Sequence, residues 1–206
     1  AGFCGKLAEK LTFLEATALS SNTWYIELII KVGVENVVEL SKQMGLPVPE
    51  GITYKSVAFA LGTTESSPVE MAAAYATFAN EGIFCPATSI VEFAYEDRPV
   101  PVPDGYDPAD SACRQVISPY TASVVLQAMK AVVDGSVEGS TVKPQWNIAG
   151  YDTVAKTGTN NLMNTTWVQL SKPYSLFINV YNMFSPISGI EWVNYRGTSW
   201  NWKDHA

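Results

Sequence analysis

"YDTVAKTGTNNLMNTTWVQLSKPYSLFINVYNM", residues 151–183, separates an α+β chain from an all-helical one. Within it "YDTVAKTGT", "TTWVQLS" and "YSLFINVYNM" are short β-branched and aromatic runs. An Asn-rich turn and a Lys-Pro turn separate them, which is the pattern of adjacent antiparallel strands. The chain upstream reads as helix. Leu11, Leu14 and Ala18 share one face of a short helix, "SSNTW" interrupts it, and "WYIELIIKVG" resumes an apolar run closing at Gly33. "VENVVELSKQMG" sets Val34, Val37, Val38 and Met44 at near-helical spacing and stops at Gly45, and "LPVPEGI" follows as a Pro/Gly loop.

In "SPVEMAAAYATFANEG", Ser67 is a natural N-cap, Pro68 suits the first helical position, Glu70 completes a capping box and Gly82 ends the segment. Met71, Tyr75, Phe78 and Ala79 form its expected buried stripe. "SPYTASVVLQAMKAVVDG" repeats the Ser-Pro opening and the Gly closing, and residues 97–110, "DRPVPVPDGYDPAD", read as an extended surface excursion. Helices followed by a terminal meander predict an α+β fold. The expected organisation is one domain over 1–206, mainly helical through 150 with the 97–110 loop, and with strands of a central sheet over 151–206.

The 206 residues are 47% apolar and 12% aromatic, enough for a packed core. A net charge of −7 without any Lys/Arg run argues against a nucleic-acid partner. No apolar stretch reaches membrane-spanning length, and the first residues lack a signal-peptide pattern. Cys4, Cys85 and Cys113, an odd set without C-x-x-C spacing, argue against a zinc knuckle and a disulfide framework, so free thiols are expected. His205 is the only histidine, which removes Ser-His-Asp and Cys-His machinery and any His-based metal site. Nucleophilic chemistry would need a lysine as base, and neither metal nor cofactor is expected.

Lys156-Thr157-Gly158-Thr159 suits a functional strand. The lysine supplies a cation, the glycine lets a substrate backbone lie close, and the threonine hydroxyls can bind a carboxylate. Ser20-Ser21-Asn22 offers a hydroxyl and an amide between two helices, able to relay a proton and hold a carbonyl. The same residues also make an ordinary helix cap.

S-x-N ahead of K-T-G is the order of two of the three motifs of β-lactamases and penicillin-binding proteins. The connecting text agrees: "ALSSNTWYIELIIKVG", "FALGTTESSPVEMAAAYATFANEGI", "ISPYTASVVLQAMKAVV", "VAKTGTNN" and "RGTSWNWKD" resemble successive stretches of the transpeptidase domain of class A penicillin-binding proteins. The similarity runs from about Gly5 to Asp204 and is most specific over 61–84. It implies a serine β-lactamase/penicillin-binding-protein-like α+β fold, with an antiparallel sheet flanked by helices and incomplete at the N-terminus. The implied activity is a D,D-transpeptidase that cross-links peptidoglycan stem peptides through a serine acyl-enzyme and is acylated by β-lactam antibiotics. Carried over, Ser20 shares in proton transfer, Asn22 holds the substrate amide, and Lys156 sits against Ser20. Thr157 and Thr159 receive the substrate carboxylate beside Gly158, with the Thr159 N–H in the oxyanion hole.

The family's S-x-x-K nucleophile precedes S-x-N by several dozen residues, so the resemblance places it upstream of this chain. A glycosyltransferase domain and a membrane anchor would lie there too, on the extracytoplasmic face of a bacterial membrane. Ser140 and Lys143 in "GSTVKP" show S-x-x-K spacing and are an alternative nucleophile and base, although the family has a variable loop there. Two departures stand out. Leu170 occupies a position where the family has glycine, and Ala155 precedes Lys156 where glycine is commoner. A competing reading is a non-catalytic module that binds cell-wall peptide or a partner protein. A sheet lacking its remaining strands would expose an edge and dissolve poorly.

Overall fold

The computed structural model describes residues 11–88, 94–96, 98–99, 112–142, 150–160, 164–171, 174–181, 193–195 and 198–200. Its helices are α1 (Phe13–Ala18), α2 (Asn22–Val32), α3 (Val34–Gln43), α4 (Pro68–Ala79) and α5 (Pro119–Lys130), with a 3-10 turn at Val57–Leu61. Its strands are β1 (Ile83–Phe84), β2 (Ala94–Tyr95), β3 (Arg98–Pro99), β4 (Arg114–Gln115), β5 (Val154–Asn160), β6 (Asn164–Ser171), β7 (Tyr174–Tyr181), β8 (Val193–Tyr195) and β9 (Thr198–Trp200). Helices followed by a meander are the α+β arrangement expected.

Local chemistry explains the helix starts. Thr12 caps α1 and Glu15 reaches back to its N–H at 2.8 Å; Ser67 and Glu70 repeat this reciprocal pair on α4 at 2.7 Å. These bonds hold both carboxyls below the ordinary glutamate range. Ser118 caps α5, and Pro68 and Pro119 open their helices where a missing N–H costs nothing. The second helix begins earlier than its apolar run, at Asn22 rather than Trp24, because the Ser21 side chain accepts from the Trp24 N–H. The Trp24 indole N–H then donates to the Leu11 carbonyl at 3.0 Å, tying α2 back to the entry of α1.

The meander forms a sheet in the order β5-β6-β7, antiparallel throughout. Its register opposes Val154, Leu170 and Ser175, and two residues on opposes Lys156, Val168 and Phe177. These residues share one face by the two-residue alternation of strands. That face meets α4 and α5 in a core of Met129, Val154, Val168 and Leu170, with Tyr75, Phe78, Ala79 and Phe177 packed around it. Of the expected α4 stripe, Tyr75, Phe78 and Ala79 join this core and Met71 is half-buried, while Ala74 and Thr77 are buried most completely. The Ser175 hydroxyl pins β7 to α4 by donating to the Ala72 carbonyl at 2.7 Å. The opposite face is covered beside β5 by Val132, Val133 and Val142 against Ala155 and Trp167. Leu176, Ile178 and Tyr174 on β7 are exposed.

The two departures from the family pattern have packing reasons. Leu170 is part of the first core and Ala155 of the second, each almost entirely excluded from solvent. The leucine fills volume under α4 and α5 that a glycine would leave empty.

The expectation of free thiols fails at two positions: Cys85 and Cys113 form a disulfide, their Cα atoms 4.2 Å apart. The reason is register. β1 pairs with β4 so that Ile83 faces Gln115 and Phe84 faces Arg114. One step further along this ladder sets residue 85 opposite residue 113. Around the pair, Arg114 stacks on the Phe84 ring and donates to the Gln43 carbonyl at 2.8 Å. Gly82, at φ +85°, leads into β1, and a Cβ there would run into the Ile117 carbonyl. Cys4 lies outside the described residues, as does most of the 97–110 excursion, of which Arg98–Pro99 pairs with Ala94–Tyr95. Among the described residues, no helix is long and apolar enough to cross a membrane.

Candidate active site

The site is built where the end of α1 meets β5, an edge strand of the sheet among the described residues. Small residues permit that approach. Ala16 and Ala18 are fully buried as α1 packs on α5, and α5 in turn packs on β5. The chain leaves α1 through a tight cap. The Ser20 N–H donates to the Thr17 carbonyl at 3.2 Å and the Ser21 N–H to the Ala16 carbonyl at 2.9 Å. These two bonds close a Schellman motif. Its left-handed position, usually glycine, is taken by Ser20 at φ +53°. A side chain there costs on the order of 1 kcal/mol or more in backbone strain. The motif turns the Ser20 hydroxyl toward the sheet.

Lys156 comes from β5 on the core face and donates to the Ser20 hydroxyl at 2.8 Å and to the Thr157 carbonyl at 2.7 Å. Burial lowers its pKa from the ordinary 10.5 to about 8. At neutral pH the amine is still mostly charged, but its proton is held far less firmly than that of a surface lysine. It is therefore suited to passing protons with the hydroxyl it touches.

The folded value lies below the unfolded one, so the unfolded chain binds the extra proton between pH 8 and 10.5. Stability is expected to rise across that window and to be lost as pH falls toward 8. Denaturant melts of the protein and of its Lys156→Met variant measure this. The variant should rise less steeply with pH, and parallel curves would mean the amine is not buried as described.

The other residues singled out in the sequence distribute as follows. Asn22 is the first residue of α2 and exposed. Among the described residues its amide takes no hydrogen bond, and the capping role falls to Ser21 beside it. Gly158 stands directly opposite Thr166, where a Cβ would collide with the Thr166 hydroxyl. Thr159 is exposed on the strand. Thr157 projects to the face opposite Lys156 and donates its hydroxyl to Thr141 at 2.9 Å. The Ser140 hydroxyl donates to the Val132 carbonyl at 2.6 Å, and Lys143 lies outside the described residues. Thr141 is a contact that sequence reading missed. Its only trace in the sequence is "GST", where the S-x-x-K spacing draws attention to Ser140 instead.

A family model described as the penicillin binding protein transpeptidase domain matches residues 4–178. The chain is 28% identical over 197 residues to penicillin-binding protein 1A of Neisseria meningitidis, covering 94% of this chain and 23% of that protein. It is 32% identical over 168 residues to penicillin-binding protein 1A of Aquifex aeolicus, covering 80% of this chain and 21% of that protein. It therefore spans less than a quarter of the length of these curated relatives. Among solved structures, the penicillin-binding protein PonA1 from Mycobacterium tuberculosis superposes with a TM-score of 0.66 at 24% identity, over 87% of this chain and 51% of that one.

Proposed function

The chain belongs to the penicillin-binding protein transpeptidase domain family, and from that premise we propose that it is the substrate-facing portion of a D,D-transpeptidase of peptidoglycan synthesis. The observation that carries this reading is the 2.8 Å bond from Lys156 to Ser20, which joins the K-T-G and S-x-N motifs across 136 residues of sequence.

In acylation, a serine hydroxyl of an S-x-x-K segment upstream attacks the penultimate carbonyl of a stem peptide. A C–O bond forms, the C–N bond breaks, and the departing amine takes up the proton that the attacking hydroxyl gives up to the lysine of its own motif and that is relayed through Ser20. Ser20 delivers that proton through its hydroxyl, with Lys156 holding the oxygen and supplying positive charge. Asn22 holds the substrate amide, and Thr157 and Thr159 bind its terminal carboxylate at the open edge of β5. The Thr159 N–H serves the developing oxyanion. A β-lactam follows the same course, its ring amide breaking in place of the peptide. Ser140, engaged with the Val132 carbonyl, serves as a structural pin rather than a nucleophile.

On this reading residues 1–206 are one partial transpeptidase domain. The nucleophile segment, a glycosyltransferase domain and a membrane anchor belong to the remainder of a longer protein. An extracytoplasmic site accords with the Cys85–Cys113 bridge, since disulfides persist in oxidising compartments. Labelled benzylpenicillin with an intact-mass readout tests the proposal. The full-length protein carrying this chain should gain one adduct, mapped to a serine outside residues 1–206. Absence of any adduct sinks the catalytic reading and favours a module that only binds cell-wall peptide.

A further inference from the structure

We propose that Thr141 is a positioning residue that aims the Thr157 hydroxyl at the carboxylate of the bound ligand, an inference that rests on the transpeptidase reading above. Thr141 lies in the segment that follows α5 and bonds both the K-T-G strand and the helix end that leads into S-x-N. Its N–H donates to the Ala18 carbonyl at 3.0 Å, two residues before Ser20. Its hydroxyl accepts from Thr157, the neighbour of Lys156, at 2.9 Å. It thereby clasps the end of α1 to the edge strand.

The residues on either side make the clasp rigid. The Ser140 N–H donates to the Val137 carbonyl at 3.2 Å and its hydroxyl to Val132 at 2.6 Å. Val142 is buried in the core formed with Val132, Val133 and Ala155. Thr141 itself stays exposed between these two anchors. A hydroxyl held in this way by its backbone is preorganised rather than free to rotate through its rotamers.

Thr157 needs such a guide because strand alternation sends its side chain to the face opposite Lys156. The bond to Thr141 selects one of its rotamers. With no ligand bound, Thr157 donates to Thr141. When a carboxylate arrives, the Thr157 proton turns to the anion and Thr141 donates in its place, since a hydroxyl both gives and accepts. The Thr157 hydroxyl thus keeps its Thr141 partner in both states and gains the carboxylate as a second when ligand binds. Valine at 141 preserves shape and removes this exchange, whereas serine preserves it.

The test compares Thr141→Val and Thr141→Ser with the unmodified full-length protein, acylated by benzylpenicillin and by its uncharged methyl ester. Thr141→Val is expected to slow acylation by the acid roughly five- to tenfold, the worth of one hydrogen bond. The ester rate and the melting temperature should change little, and Thr141→Ser should recover the acid rate. Equal losses for acid and ester, or no loss, overturn the inference while leaving the transpeptidase reading intact. No adduct on the unmodified protein overturns that reading and this inference together.

Discussion

Ser20→Gly and Ser20→Ala are both expected to slow β-lactam acylation of the full-length protein by roughly 10²–10⁴-fold, the range for losing a positioned proton-transfer group. They should differ in stability. Both lose the hydroxyl that Lys156 contacts at 2.8 Å, a net loss of about 1 kcal/mol. They part at the backbone, where residue 20 sits at φ +53° in the left-handed cap of α1. Alanine keeps the strain of a Cβ in that conformation and glycine relieves it. The relief of about 1–2 kcal/mol exceeds the extra chain entropy that glycine loses on folding, about 0.5–1 kcal/mol. The glycine variant should therefore be the more stable of the two by up to about 1.5 kcal/mol. Denaturant midpoints combined with acylation rates check both halves. An alanine variant as stable as the glycine variant would mean the cap is unstrained, and an active glycine variant would remove Ser20 from the proton path. A serine kept where glycine fits better is the trade expected of a residue retained for chemistry.

Removing the disulfide has the largest expected effect on stability. Cys85 and Cys113 are separated by 28 residues, and closing a loop of that size restricts the unfolded chain by about 3–4 kcal/mol in the chain-entropy description. A Cys85→Ala/Cys113→Ala protein should melt roughly 7–15 °C lower. The bridge continues the two-residue ladder β1–β4, which is short and otherwise held by Arg114 on Phe84 and Gln43. Alkylation without reductant provides the direct check. Of the three cysteines in the chain, Cys4 alone should react before reduction and all three after it. Three reactive thiols before reduction would rule the bridge out, and an unchanged melting temperature in the double variant would show that it adds no stability.

Much of this molecule was legible in its residues because the relevant signals are local. Ser67, Pro68 and Glu70 announce α4 within four positions, and the structure shows both bonds of the capping box. The β-branched runs of 151–183 with their turn residues became β5, β6 and β7 in an uninterrupted meander. Less was legible wherever a local choice depended on a distant partner. The start of α2 is set by the Ser21 cap and not by the apolar run after it. Nothing beside Cys85 or Cys113 announces their bridge, because the pairing follows from the register of β1 on β4, which joins positions 28 residues apart.

The helices, the meander and the motif residues Ser20, Asn22 and Lys156 to Thr159 can be read from neighbouring residues, since caps, periodicity and turn chemistry act over a few positions. What those residues meet depends on how the chain packs. Packing of α1 on α5 and of α5 on β5 brings Lys156 to Ser20 and buries the amine enough to loosen its proton. Anchoring of the 140–142 segment turns Thr157 toward Thr141. Such contacts arise from the closing of a core around side chains far apart in the chain, which no spacing along the sequence records.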